Sequence, residues 1–293
     1  MTTMKILYLK PSDPKYGFTN EIESSLKKLG HKVETMKEED FDIKELLGKA
    51  YASDLFLFHN GGVYTDDDLK YEMSLTRLRQ ILSAIKCKKV CWFFEKGWFL
   101  NDRTLEYIIP LVDYAFLNDG NWVRRHKYEN VFELHSGASK LKGKEREEFK
   151  CSIAFYGEVH LFRKPFIDLL KQKFGREFKV FNNLYGQDLA DLIASAKIIF
   201  VPVQPNDEFY WCNRIYDILG AGGVALYPKL HGLQEEGFIS GEHYLGYKRP
   251  FELEKMIIDY LKGKIKIDGK DFVKKFSWEN RVKTLMEKTN AKN

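Results

Sequence analysis

The chain of 293 residues has only four cysteines: Cys87, Cys91, Cys151 and Cys212. Their spacing fits no zinc site, and they are too few for a disulfide framework, so we expect buried, reduced thiols. No apolar run approaches the roughly 18 residues that a transmembrane helix requires. The start of the chain, MTTMKILYLK, lacks a small-residue cleavage site and predicts a first strand, not a signal peptide. We therefore expect a cytoplasmic protein without a membrane partner.

The sequence also lacks the short motifs of several enzyme classes. It has no Walker loop, no G-x-G-x-x-G after the first predicted strand, no H-E-x-x-H zinc motif and no G-x-S-x-G elbow. An Asp-x-Asp metal motif is not evident, because 66–68 (DDD) suits a helix N-terminus and 40–42 (DFD) stands in an acidic stretch. We expect no metal and no cofactor.

The sequence also has only a small excess of charge of one sign. The net charge is +5, and the excess leans toward the second half of the chain. A mild positive field suits a small anionic ligand but is weaker than expected of a dedicated nucleic-acid binder. Hydrophobic residues make up 44% of the chain, enough for two cores. Aromatic residues in predicted loops are candidates for stacking on a sugar or a base, and they include Trp122 and Trp211.

Short apolar runs alternate with amphipathic segments along the whole chain. Strands separated by helices at this spacing predict parallel, doubly wound α/β sheets. The segment 140–150, KLKGKEREEFK, is charged and has almost nothing to bury, which makes it the best candidate for a linker. We predict one Rossmann-like domain over 1–145 and a second over 146–276.

The run from Arg214 to Tyr247 is the most informative part of the sequence. Arg214 and Asp217 are three residues apart and share one face of a predicted short helix. Gly222 and the glycines beside it suit the end of that helix and a tight turn into an apolar strand at 224–227. A polar loop is predicted from there to Tyr247. A cation and a carboxylate just past a strand end suit a ligand with phosphates and a ribose diol.

This run resembles the C-terminal half of CgeB-like, family-4-like GT-B glycosyltransferases, which carry an Arg-x-aromatic-acid helix followed by a small-residue turn. The resemblance implies a GT-B fold, with two Rossmann-like domains facing a central cleft. It also implies that Arg214 faces the diphosphate of a nucleotide sugar and that Gly222 belongs to the donor-binding turn. The segment 277–281, SWENR, is similar to the closing helix of the family, so 277–293 is expected to pack back across the domains.

Further donor-binding roles follow from the same resemblance. Asp217 stands where the family usually has a Glu that accepts the ribose hydroxyls. The second family Glu, against the sugar, is replaced by Phe209, and Glu208 is the nearest substitute. Gly157 and Arg163 are similar to a strand–glycine–loop–Arg element at the head of the C-terminal domain. Arg214 is also open to a second interpretation, as a surface residue paired with Asp217.

Three residues at strand ends are candidates for catalysis in the N-terminal half. His59 looks similar to the strand-end His of many family-4-like enzymes, although a lone His is as readily structural. Glu95 and Asp119 follow two further strands. Each suits a catalytic base in an inverting mechanism, or a helix cap.

The predicted function is the transfer of a hexose from a nucleotide sugar, such as UDP-glucose, to a hydroxyl. The acceptor is left open as a glycan, a protein, a small molecule or a modified base in DNA. The segment 121–127, NWVRRHK, suits a polyanionic acceptor or a solvated helix face. Two alternatives remain: a GT-B-like nucleotide-sugar epimerase, and a non-catalytic nucleic-acid-binding protein of the same fold.

Overall fold

The chain divides into two compact units in a computed structural model, which describes residues 2–11, 17–38, 41–59, 68–94, 104–203 and 208–290, with only the backbone for 68–74. The first unit is Met1–Ser136 together with Trp278–Asn293, and the second is Gly137–Ser277. The division therefore falls before the predicted boundary at residue 145, and the closing segment is counted with the first unit.

The charged segment 140–150 packs along the second unit. The Lys144 backbone N–H donates to Asp191 Oδ1 at 2.9 Å. The Arg146 N–H donates to Ser195 Oγ at 2.8 Å. These backbone hydrogen bonds and the buried side chain of Phe149 hold the segment in the second unit.

The described part of the first unit contains a six-stranded parallel sheet in the order β2-β1-β3-β4-β5-β6. Its strands are β1 (Lys5–Lys10), β2 (Lys32–Lys37), β3 (Leu55–Phe58), β4 (Lys88–Phe93), β5 (Tyr114–Leu117) and β6 (Val131–Glu133). Its helices include Phe18–Lys28, Ile43–Tyr51, Asp68–Ala84, Gly120–His126 and Trp278–Asn290.

Both faces of this sheet are buried. In β3, Phe56 and Phe58 enter one apolar cluster, and Leu55 and Leu57 enter the cluster on the other face. A parallel sheet covered on both sides needs apolar residues at every position, which explains why the strand reads LFLF.

The closing helix Trp278–Asn290 completes the first unit. Trp278, Val282 and Leu285 are buried in the apolar cluster that also contains Ile22 of the helix Phe18–Lys28. Their spacing of four and three residues places them on one helical face. The helix therefore covers part of one face of the first sheet.

The described part of the second unit contains a five-stranded parallel sheet in the order β11-β10-β9-β7-β8. Its strands are β7 (Cys151–Tyr156), β8 (Phe178–Phe181), β9 (Ala196–Phe200), β10 (Ala225–Pro228) and β11 (Leu245–Tyr247). Its helices include Lys164–Phe174, Gly186–Ser195, Arg214–Gly220, His231–Glu235, Glu252–Leu261 and Lys270–Val273.

The predicted polar loop that ends at Tyr247 contains two elements. The helix His231–Glu235 and the strand β11 both lie within it. Leu226 of β10 pairs with Leu245 of β11 in parallel register. The prediction of a loop was wrong here because a strand of only three residues is too short to show a pattern.

Both units have the same topology. In each, the first strand lies between the second and the third, so the direction of winding reverses beside that first strand. Ligands of doubly wound folds bind at such a point, outside the carboxyl ends of the strands. In the second unit this point is the end of β7, and the residue that follows β7 is Gly157.

Candidate functional site

Gly157 forms a tight turn at the end of β7. Its φ is +111°, a region that residues with a Cβ rarely adopt. A Cβ built on Gly157 would lie 2.6 Å from Arg214 Nη2. The Gly157 N–H donates to Phe181 O on the neighbouring strand at 2.9 Å. The glycine therefore permits both the turn and the close approach of Arg214.

Arg214 begins the helix Arg214–Gly220 and is half-buried. Its Cζ lies 4.9 Å from the centroid of the Tyr156 ring and 5.9 Å from that of Phe155. Within the described residues, its guanidinium forms no ion pair. Asp217 instead accepts a hydrogen bond from Asn213 Nδ2 at 2.9 Å. The alternative of a surface pair with Asp217 is therefore not observed.

Arg163 contributes a second guanidinium to the same place. Its Cζ lies 6.0 Å from the Phe155 ring centroid, so both guanidiniums contact one ring. Its Nη1 donates to Glu158 O at 2.8 Å, whereas its Nε is buried and has no hydrogen-bond partner in the described part of the chain. Burial and then the positive charge of Arg214 lower the pKa of Arg163.

Two cations that meet beside the half-buried turn at Gly157 make this place a candidate anion site. Neither Arg163 nor Arg214 is neutralised by a carboxylate among the described side chains. Guanidiniums bind phosphate oxygens through paired, charge-assisted hydrogen bonds. The structure thus brings Arg214 together with Gly157 and Arg163, which precede it by more than 50 residues.

The other donor-side candidates are placed differently. Asp217 lies one helical turn beyond Arg214 and is half-buried, so its predicted ribose contact stays a prediction. Glu208 Oε2 accepts the His231 N–H at 2.8 Å, which occupies that oxygen with a helix N-terminus. Its contact with a sugar also stays a prediction.

Gly222 lies beyond the far end of the Arg214–Gly220 helix. Its φ is +87°, and its N–H donates to Leu219 O at 3.0 Å, which ends the helix as predicted. The helix from Arg214 to Gly220 alone rises about 9 Å, and Gly222 lies beyond its end. The structure does not bring Gly222 to the guanidinium cluster, and its role in donor binding stays a prediction.

His59 is buried in the first unit, just after β3. The Tyr8 hydroxyl donates to His59 Nε2 at 2.5 Å, and His59 Nδ1 donates to Trp92 O at 2.9 Å. The carbonyl can only accept, so Nδ1 carries the proton. Burial lowers the pKa of His59 to about 4. With both ring nitrogens occupied inside the protein, this packing favours the structural interpretation, and the catalytic role stays a prediction.

Asp119 and Glu95 complete the candidates of the first unit. Asp119 Oδ1 accepts the Trp122 N–H at 3.1 Å at the start of the helix Gly120–His126. This is the helix cap that the sequence left open as an alternative. Glu95 lies outside the described residues.

Two of the predicted stacking aromatics, Trp122 and Trp211, are not available to a ligand. Trp122 and Trp211 are both fully buried. Trp211 Nε1 donates to Tyr216 Oη at 2.9 Å, and Trp122 stacks on His126 at 4.0 Å between centroids. These large rings fill cores, so their prediction as stacking residues was wrong.

Tyr156, which precedes Gly157, belongs to the predicted strand–glycine element, but sequence reasoning gave it no role of its own. Its hydroxyl is buried and has no hydrogen-bond partner among the described residues. The signal was an aromatic at a strand end directly before the candidate glycine. A hydroxyl buried without a partner beside Arg214 marks a position with unused hydrogen-bonding capacity.

No group of metal-binding side chains occurs in the described part of the chain. Among the described helices, none has the length and apolar character needed to cross a membrane.

Two parallel, doubly wound units on one chain define a GT-B fold, and the predicted fold class is confirmed. Solved structures with this fold include three α-glucosyltransferase structures. An α-glucosyltransferase in complex with UDP-glucose and DNA containing an abasic site has a TM-score of 0.69 at 11% identity, over 98% of this chain and 100% of that one. An α-glucosyltransferase with UDP and a 13-mer DNA containing an HMU base has a TM-score of 0.66 at 10% identity, over 99% and 100%. An α-glucosyltransferase with UDP has a TM-score of 0.66 at 10% identity, over 98% and 100%.

At such low identities the likeness concerns the fold. No curated protein matches the sequence significantly. Residues 141–287, half of the chain, match the family described as glycosyl transferase-like, and the chain belongs to this family. The prediction of a glycosyltransferase is thereby confirmed at the level of the family.

Proposed function

We propose that this protein transfers a hexose from a nucleotide sugar, with a UDP-sugar as the first candidate, to an acceptor hydroxyl. The observation that carries the proposal is the meeting of Arg163 and Arg214 at Gly157. Neither guanidinium forms an ion pair with a described residue, and both contact Phe155. A diphosphate supplies the negative charge that this site lacks.

The geometry suggests how the chain would promote the reaction. As the glycosidic bond breaks, negative charge develops on the departing nucleoside diphosphate. Fixed cations at that position stabilise the transition state more than the ground state. Arg214 is the first candidate for this role, since its guanidinium forms no ion pair with a carboxylate in the described part of the structure. Asp217, one turn further, is the candidate for the ribose hydroxyls.

The finer family placement belongs to the same proposal. The start of the Arg214 helix reads RIYD and its end carries a glycine turn, which supports a member of the CgeB-like group. The four cysteines are free thiols, which fits a reducing compartment such as the cytoplasm.

For the acceptor, we propose to test a hydroxymethylated base in DNA first. Two of the structures of the same fold contain an α-glucosyltransferase together with DNA, one of them with an HMU base. The net charge of +5 is compatible with a polyanionic substrate such as DNA.

Donor binding is tested by thermal shift with UDP, UDP-glucose, ADP, GDP and uridine. A ligand that binds only the folded state raises the melting temperature by mass action. We expect UDP and UDP-glucose to raise it and uridine, which has no phosphates, to leave it nearly unchanged. No shift with any nucleoside diphosphate at millimolar concentration would contradict the donor site.

Transfer is tested by measuring the turnover of UDP-glucose with and without a 13-mer DNA duplex that contains the HMU base. The matched control is the same duplex with thymine in place of HMU. We expect release of UDP and glucosylated DNA only with the modified duplex. Conversion of a UDP-sugar to its epimer without an acceptor would favour an epimerase. Tight, salt-sensitive duplex binding without turnover would favour a non-catalytic DNA-binding protein.

A further inference from the structure

Tyr156 is the last residue of β7, and its side chain points to the face of the sheet that carries Trp211 and Ile215. It therefore lies beneath the start of the helix Arg214–Gly220. Its hydroxyl is buried and, within the described residues, makes no hydrogen bond. A buried hydroxyl without a partner lowers stability, so its retention in this position needs an explanation.

The surroundings of this hydroxyl are charged. Arg214 Cζ lies 4.9 Å from the Tyr156 ring centroid, and the next residue is Gly157. Arg214, Asp217 and Cys212 all act electrostatically on the hydroxyl, and burial holds its pKa well above 10. At neutral pH the hydroxyl is therefore protonated and able to donate.

We infer that Tyr156 is a donor-binding residue whose hydroxyl donates a hydrogen bond to the anionic group that Arg214 binds. The inference rests on the proposed function, because it takes the ligand to be a nucleoside diphosphate. Arg214 covers the Tyr156 ring in the structure described here. An anion bound by Arg214 beside this ring would give the hydroxyl the partner that it lacks.

A second tyrosine of the same unit provides a matched control. The Tyr244 hydroxyl is also buried without a partner among the described residues, and burial alone raises the pKa of Tyr244 to about 12. It directly precedes β11, so it lies near the amino edge of the parallel sheet, whereas Tyr156 ends β7 at the carboxyl edge. The two residues share their chemistry but differ in their distance from Arg214.

The experiment compares wild type, Tyr156→Phe and Tyr244→Phe. Calorimetry measures the affinity of each protein for UDP and for inorganic diphosphate, and a melting curve measures its stability without ligand. Tyr156→Phe keeps the ring under Arg214 and removes only the hydroxyl. We expect its affinity for UDP and for diphosphate to fall roughly tenfold or more, the scale of one hydrogen bond to a charged group. Its melting temperature without ligand should equal or exceed that of wild type.

The Tyr244→Phe variant should bind both probes like wild type. The inference is overturned if Tyr156→Phe binds UDP within about twofold of wild type, or if it melts clearly earlier without ligand, because the hydroxyl then has a structural partner such as a water. If wild type binds neither UDP nor diphosphate, the proposed function fails and the inference fails with it. If wild type binds and only the Tyr156 comparison fails, the proposed function stands.

Discussion

Arg214→Ala separates a catalytic guanidinium from a structural one, because the two roles predict different effects on folding and on turnover. Within the described residues Arg214 forms no ion pair, so its removal leaves no buried carboxylate uncompensated. It gives up contacts with the Tyr156 and Phe155 rings, each worth about 0.5–1 kcal/mol at exposed sites. Removal also relieves the repulsion with Arg163. We therefore expect the free energy of unfolding to fall by about 2 kcal/mol at most.

The expected effect on catalysis is much larger. Removing one preorganised group that stabilises charge in the transition state typically costs about 10²- to 10³-fold in kcat, or roughly 3–4 kcal/mol. Arg214→Ala should reach at least the lower end of this range. Arg214→Lys should lie between wild type and Arg214→Ala, because an ammonium keeps the charge but cannot bind two phosphate oxygens in a fork.

The assay combines steady-state kinetics on UDP-glucose and the HMU duplex with a melting curve for each variant. Arg249→Ala is the matched control, since Arg249 is an exposed arginine of the same unit that lies 5.8 Å from the Phe251 ring centroid. It should leave both kcat and stability nearly unchanged. A well-folded Arg214→Ala protein with near-normal kcat would refute the catalytic role. Early melting with near-normal kcat would instead show that Arg214 is structural.

Three further predictions concern Gly157, His59 and the dependence of turnover on metal ions. Gly157→Ala should weaken UDP binding and lower the free energy of unfolding by about 1–3 kcal/mol, because the added Cβ meets Arg214 at a strained φ. The control is Gly241→Ala, at a similar φ of +89° with no atom within 4 Å of the added Cβ. It should lower the free energy of unfolding but leave the affinity for UDP, measured by calorimetry, unchanged. Burial lowers the pKa of His59 to about 4 in the folded protein. The neutral ring therefore contributes about 3 kcal/mol to the free energy of unfolding above pH 6.5, and this contribution is lost as the pH falls toward 4. His59→Asn should flatten the pH dependence of the free energy of unfolding between about pH 6.5 and 4, and an unchanged slope would contradict the buried neutral ring. Turnover should survive EDTA, and loss on chelation with recovery on adding Mn²⁺ or Mg²⁺ would overturn the metal-independent mechanism.

The strands of this protein were largely predictable because a parallel sheet leaves a strong mark on the sequence. The sequence predicts strands at 114–117 and 178–181, and the observed strands Tyr114–Leu117 and Phe178–Phe181 have the same bounds. Runs such as LFLF in β3 are apolar at every position because both faces are covered. β11 was missed because its three residues pair only with β10, and no local pattern signals such a contact.

The candidate site was predictable where it depends on topology. Gly157 and Arg214 are far apart in sequence, but both follow the carboxyl ends of strands, and the fold brings those ends to one edge of the sheet. The contacts of His59 were not predictable, because they depend on which side chains of β1 and β4 face it. Tyr8 and the Trp92 carbonyl satisfy both of its nitrogens, and sequence spacing carries no information on that packing.

The return of the closing helix to the first unit has a consequence for the order of folding during synthesis. Gly137–Ser277 is continuous in sequence and can fold as soon as it has left the ribosome. The first unit must wait for Trp278 and the residues after it, with the apolar face around Ile22 uncovered meanwhile. Of these two units, the one translated earlier is thus completed later, and its apolar face stays uncovered while the second unit is translated.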